Sequence, residues 1–196
     1  NDSFRFALDY TLPNGSLIYA SYAKGFASGG FNNDDRVSAF PAETADNYEI
    51  GTKGTYLDGK LQVNANVFLF DYINNQRSVA RIDPNSGAAS IATVPIQKAE
   101  VDGYEIEIKA FINDYFSVLA SRGAYGGKYI EFVDDNGNDL TGFAYDAEGP
   151  ESRTNITLLN VFSLNSKTIS SSLSWTHVGD DFTATELYDY SQLHNY

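Results

Sequence analysis

Residues 44–73, TADNYEIGTKGTYLDGKLQVNANVFLFDYI, decide how the chain is read. They form two long alternating runs joined by a tight polar turn at Asp58-Gly59. Along the second run Leu61, Val63, Ala65, Val67 and Leu69 share one face, and Gln62, Asn64 and Asn66 share the other. A period of two over this length excludes an amphipathic helix, whose apolar positions recur at three and four. An apolar face backed by an amide face is what a membrane barrel needs, with lipid outside and a wet lumen inside. A water-soluble sandwich has the same period, so the hairpin alone leaves both open.

The same pattern extends outward in both directions. Phe4, Phe6, Leu8 and Tyr10 alternate with Arg5 and Asp9, a turn follows at Pro13-Asn14-Gly15, and SLIYASYAK (16–24) alternates again. Residues 25–43 are Gly-rich and read as a long loop, as do residues 74–98, which carry Asp83-Pro84-Asn85 and Ser86-Gly87. AEVDGYEIEIKAFI (99–112) is a strand with Tyr104, Ile106 and Ile108 opposite Glu105, Glu107 and Lys109. A turn at Asn113-Asp114 leads to a strand over 116–133, an acidic loop over 134–150, and a pair of strands around Asn165-Ser166-Lys167. A further acidic loop over 179–190 precedes a possible last strand at 191–196. Short turns thus centre on Asn14, Asp58, Asp114 and Ser166, with long loops always at the other end. Outer-membrane barrels have this asymmetry.

Composition fits. Aromatic residues make up 14%, almost all Tyr and Phe, with a single Trp. No run of apolar residues is long enough for a transmembrane helix, which leaves a barrel open because its strands are weakly hydrophobic. The net charge of −13 excludes nucleic acid as a partner. With no cysteine there are no disulfides, thiol nucleophiles or cysteine zinc sites. The chain opens directly in FRFALDYT without Met or a leader and reads as an internal piece of something longer. Assigning the apolar phase outward puts Glu49, Lys53, Glu105, Glu107 and Lys109 in the lumen, where water solvates them. The reverse phase would push all five into lipid, at about 2–4 kcal/mol for a cation at the midplane. Tyr22, Tyr48, Phe70 and Tyr72, near strand ends, suit interfacial girdles.

LIYASYAKGFASGGFN (17–32), PAETADNYEIGTKGTYLDGKLQVNANVFLFDYINNQ (41–76) and AEVDGYEIEIKA (99–110) together resemble the barrel of TonB-dependent outer-membrane receptors. The matching features are Tyr22 with Gly25-Phe26, then Glu43 with Asn47-Tyr48-Glu49-Ile50-Gly51 and Lys53, then Asp71-Tyr72 with Gln76, then Gly103-Tyr104-Glu105. The resemblance implies an all-β, antiparallel up-and-down transmembrane barrel of about 22 strands around an N-terminal plug. It implies a bacterial outer-membrane receptor importing a ferric siderophore, vitamin, haem or glycan, with energy from the TonB system reaching it through the plug. This chain carries about eight strands and the start of a ninth, with no plug or TonB-contacting box, and SQLHN before Tyr196 does not alternate. Eight strands can close a small barrel, but part of the larger receptor is the reading taken. A passive porin or adhesin-like barrel, and a soluble carbohydrate-binding β-sandwich, stand as alternatives.

The ligand is expected in the loop 25–40, where Phe26, Phe31, Asn32, Asn33 and Arg36 mix aromatic surface with donors, joined by Arg77 and Arg81 from the next loop. No catalytic residue, cofactor or metal is expected. His177 and His194 lack ligand spacing, and Asp134–Asp139 fails the EF-hand pattern because Asp139 and Tyr145 stand where Gly and Glu belong. Glu105 and Glu107 read as hydrated wall rather than a glycosidase pair.

Overall fold

Alternation becomes a single antiparallel meander. The computed structural model describes residues 2–32, 39–82, 89–134, 137–142, 152–164 and 167–179. Its strands are β1 (Phe4–Thr11), β2 (Leu17–Ala27), β3 (Gly30–Phe31), β4 (Ala39–Phe40), β5 (Glu43–Tyr56), β6 (Leu61–Ile82), β7 (Ala89–Phe111), β8 (Phe116–Glu131), β9 (Ser152–Leu164) and β10 (Lys167–Val178). Eight of them form one sheet in the order β1-β2-β5-β6-β7-β8-β9-β10, and β3 pairs only with β4. The possible strand at 191–196 lies outside the described residues.

The short turns hold themselves together. Asn14 Oδ1 accepts from the Ser16 amide at 3.1 Å, and Asn113 Oδ1 accepts from the amides of Tyr115 and Phe116, each at 2.9 Å. Leu57, Asp58 and Gly59 all have positive φ, at 54°, 53° and 90°. That left-handed run reverses the chain where the Asp-Gly pair marks it.

Cross-strand partners share a face, so the register fixes which side chains lie together. One line runs Leu8, Ala20, Ile50, Val67, Tyr104 and Ala124. Another runs Val63, Ile108, Ala120, Ile156 and Trp175. Among the described residues no second layer covers this face. Phe6 is 65% exposed, Val67 52% and Leu173 69%. A soluble sandwich would have buried these side chains, and an uncovered apolar sheet face needs an apolar solvent. The small sheet β3-β4 is the only other one among the described residues.

Two connections are shorter than the sequence suggests. In the segment 25–43, β2 runs on to Ala27, β3 and β4 form a two-residue ladder, and β5 begins at Glu43. The segment 74–98 is a ribbon rather than a loop: β6 and β7 stay paired from Leu61↔Ala110 to Ile82↔Ala89. These strands hold 22 and 23 residues, about twice the 9–11 that a transmembrane strand needs. The ribbon hides from a period-two reading for physical reasons. Asn74 interrupts it in the left-handed region, φ 53°. A register shift between Lys98 and Ala99 then moves the buried phase of β7 from Ala92, Val94 and Ile96 to Ala99 and Val101. Pro95, a loop signal in sequence, is accommodated opposite Gln76. The buried core among the described residues sits at the base of this ribbon, where Tyr72 and Phe132 pack on Ile96, Ala99 and Tyr129.

Candidate functional site

The polar face has two zones. Nearer the short turns it carries charge and amides. Register places Lys53 beside Asn64 and Glu107, and Gln62 beside Lys109. Asn66 joins two acids, its Nδ2 lying 3.3 Å from Glu49 Oε1 and 3.5 Å from Glu105 Oε2, while its Oδ1 accepts from the Glu105 amide at 3.1 Å. Asn64 Nδ2 reaches Glu107 at 3.4 Å, and the Tyr19 hydroxyl donates to Glu49. Lys53 lies 5.6 Å from the Tyr19 ring centroid and Lys109 4.8 Å from that of Phe111. Glu49, Lys53, Glu105, Glu107 and Lys109 therefore share one face. The neighbouring strands continue it with hydroxyls and an amide: Asn155 donates to Ser121 at 3.2 Å and accepts from Thr176 at 3.0 Å.

Nearer the long connections the same face turns aromatic and small. Phe68, Phe70 and Tyr72 stack as a column with centroids 5.8 and 5.9 Å apart. Their neighbours across the register are Glu49, Asn47 and Ala45 on β5 and Gly103, Val101 and Ala99 on β7. Gly103 is forced by this packing: a Cβ there would lie 2.6 Å from both the Phe68 ring and the Ala124 carbonyl. Tyr19 covers Gly51 in the same way, an aromatic ring resting on the glycine directly across the ladder.

The apolar face ends at a sharp border. On β2, β5, β6, β7, β8 and β10 the first charged or imidazole group beyond the apolar run is Lys24, Asp46, Asp71, Asp102, Arg122 and His177. Tyr22, Tyr48, Tyr104 and Trp175 stand one position before it on four of those strands. Lys24, Asp46 and Asp71 are direct partners, and Lys24 and Asp46 pair at 3.5 Å with Tyr22 donating to the same carboxylate. From β6 to β8 the border drops along the register to Asp102 and then Arg122, which aligns with Ile106, Thr154 and His177. Across the sheet this averages about one residue per strand, ~3.3 Å against a strand spacing of ~4.8 Å. A level border then crosses strands tilted by about 35°, the tilt of a transmembrane barrel.

The residues expected to bind ligand are scattered. Phe26 pairs with Thr44 on the apolar side of β2, past Lys24. Phe31 is 88% exposed on β3. Asn32 is a tether: its amide donates to the Thr93 carbonyl at 2.7 Å and accepts from the Thr93 amide at 2.8 Å. Gln76 adds to this clasp, reaching the Ser28 and Pro41 carbonyls at 2.9 and 3.1 Å while its own amide donates to Glu43 at 2.7 Å. The segment after β2 is thus tied across the base of the ribbon. Arg77 pairs with Val94 in the ribbon ladder. Asn33, Arg36 and the Arg81 side chain lie outside the described residues.

The histidine and calcium questions meet the structure in part. His177 stacks on Trp175, centroids 5.8 Å apart, and His194 lies outside the described residues. Asp134 is taken up by its own loop, accepting from the Asn138 amide at 2.8 Å and side chain at 2.9 Å. Asp139 accepts from the Thr141 amide at 3.0 Å, and hydrogen bonds from Thr141 hold its carboxyl below the usual value. Asp135 and Asn136 lie outside the described residues.

Comparison with known proteins agrees with this geometry. The family model "TonB dependent receptor-like, beta-barrel" matches residues 1–195. The chain is 29% identical over 132 residues to the ferric-pyoverdine 358 receptor of Pseudomonas putida, covering 67% of this chain and 15% of that protein. It is 31% identical over 135 residues to the ferripyoverdine receptor of Pseudomonas aeruginosa, 67% of this chain and 16% of the relative. The chain therefore spans about a sixth of the curated relatives it matches. In fold it is similar to the ferric yersiniabactin uptake receptor of Yersinia pestis, with a TM-score of 0.64 at 19% identity over 89% of this chain and 25% of that one. It is likewise similar to the copper transporter OprC, with a TM-score of 0.65 at 15% identity over 88% of this chain and 25% of that one. The chain belongs to the TonB-dependent receptor family, and its eight-stranded sheet is part of that family's outer-membrane β-barrel.

Proposed function

We propose that the whole protein is an active-transport receptor that captures a scarce nutrient at the outer surface and imports it with energy from the TonB system. The polar face lines the lumen and the apolar face meets outer-membrane lipid. TonB acts through a plug domain of the whole protein. The cargo is a ferric siderophore or similar chelate, as the names of the ferric-pyoverdine receptor relatives suggest. Nothing in the reading calls for a catalytic step or a resident cofactor: the chain binds and admits.

The observation that carries this reading is the change of character along the polar face. Water-solvated charges line the end nearer the short turns, while stacked Phe68, Phe70 and Tyr72 line the end nearer the long connections. An aromatic wall at the mouth serves capture of an organic ligand, whereas a passive water-filled pore needs none. Phe31 and Arg77 sit on segments next to this wall and are the proposed further contacts, with Asn32 fixing the frame; Asn33, Arg36 and Arg81 are proposed with them from the sequence alone. Phe26, on the apolar side of β2, contributes to the rim.

Uptake of iron-55 chelates by cells that carry or lack the full-length receptor tests the proposal. Uptake that needs the receptor and stops when TonB is deleted supports it. Receptor-dependent uptake that continues without TonB overturns it in favour of a passive pore.

A further inference from the structure

We propose that Arg122 binds the phosphate of an outer-leaflet lipid headgroup. The inference rests on the reading that the apolar face meets lipid. Arg122 is an exposed cation on that face, aligned with Ile106 on one side and Thr154 on the other. Val118 and Ala120 precede it and Ala124 follows it on the same side of β8, so its neighbours along its own strand are apolar.

The guanidinium is held but not neutralised. Its Nε donates to the Tyr104 hydroxyl at 2.9 Å and its Nη1 to Thr154 Oγ1 at 2.9 Å. A guanidinium has five N–H donors in a planar fork, so these two neutral acceptors leave three for another partner. Among the described residues no carboxylate pairs with it. Glu100 is taken by Lys128 at 3.0 Å. Asp102 faces Gly126, four residues further along β8, or about 13 Å.

Position completes the argument. Arg122 lies on the border line of the apolar face, its anchor Tyr104 belongs to the aromatic row, and His177 continues its register line past Thr154 beside Trp175. That is headgroup depth at the end bearing the long connections, which in outer-membrane barrels is the outer surface. Among the described residues this cation, with its preset fork and aromatic neighbours, has no planar or tetrahedral oxyanion beside it. The membrane supplies one as lipid phosphate, and bidentate Arg–phosphate contact is the strong form of that pairing.

The test uses the full-length receptor purified in neutral detergent and native mass spectrometry with diphosphoryl lipid A, its dephosphorylated form and inorganic phosphate as probes. R122Q keeps one amide donor near the place of Nε, within reach of Tyr104, but loses the charge, and R122K keeps the charge but not the fork. K128Q is the control for general surface charge, and heat-modifiable gel migration verifies that each variant is folded. Wild type should retain diphosphoryl lipid A over the dephosphorylated form by about tenfold or more, R122Q should lose the preference, R122K should keep part of it, and K128Q should leave it unchanged. An R122Q receptor that is folded and keeps the full preference overturns the proposal. So does displacement of the lipid by millimolar inorganic phosphate, because the site would then not be specific to a membrane headgroup. A receptor that needs no detergent would instead refute the membrane reading beneath it.

Discussion

Replacing Val67 by Arg places a charge on the side of the sheet assigned to lipid while leaving the polar face untouched. Val67 lies between Ile50 and Tyr104 in the register and is 52% exposed, so the longer side chain meets little steric resistance from the protein. Along β6 the apolar side runs from Leu61 to Leu69, which puts Val67 about one outward step beyond its middle. A cation at the midplane of a barrel's lipid face costs about 2–4 kcal/mol and near the interface about 0–1. Val67→Arg should therefore cost about 2 kcal/mol, roughly a thirtyfold shift in the folding equilibrium. Asn64→Arg, on the opposite face of the same strand, gains a hydrated charge near Glu107 and should cost little. The assay is denaturant-induced unfolding of the full-length receptor in lipid vesicles, followed by heat-modifiable migration. Equal costs for the two substitutions, or a larger cost for Asn64→Arg, would refute the assignment of faces.

Other substitutions test the local physics. Gly103→Ala forces a Cβ against Phe68 and the Ala124 carbonyl and should destabilise by about 1–3 kcal/mol, and pairing it with Phe68→Ala should recover only the ring's share, as read by the same unfolding midpoints. Leu57→Gly relieves a left-handed backbone at φ 54° and should raise stability by up to about 1 kcal/mol; a fall in the refolding midpoint would contradict the turn assignment. Asn32→Ala removes both hydrogen bonds to the Thr93 backbone, so hydrogen exchange at the Thr93 amide should quicken by tenfold or more while the β5-β6 ladder stays protected. Phe70→Ala breaks the aromatic column at its centre and should weaken chelate binding in fluorescence titration without altering folding of the charged zone.

The central hairpin was readable because its two faces differ in polarity at every position from Leu61 to Val67. The same logic gave the short turns at Asn14, Asp58 and Asn113, where Asn and Gly supply the backbone shapes and side-chain acceptors that reversals need. It failed where two signals coincide or cancel. From Val67 to Phe70 both faces of β6 are apolar or aromatic, so alternation vanishes and the column of Phe68, Phe70 and Tyr72 shows only through its register with Gly103. Beyond Tyr72 the left-handed Asn74 and the shift at Lys98 change the phase, and a paired ribbon takes on the appearance of a loop. Asn32 looked like a ligand donor because sequence shows its amide but not the Thr93 backbone that uses it. Arg122 carried a signal that the alternation of Val118 and Ala120 already contained: counting in twos from either residue puts it on the apolar side.

The account depends on hydrocarbon covering one side of the sheet and water the other. Nitroxide labels at Val67, Ile106, Asn66 and Glu105 of the full-length receptor in lipid vesicles measure this directly, through collision with oxygen and with a water-soluble nickel chelate. Val67 and Ile106 should collide with oxygen and be shielded from nickel, while Asn66 and Glu105 should show the reverse order. Labels at Val67 and Ile106 that meet neither reagent would place those side chains in a dry protein interior and contradict the account.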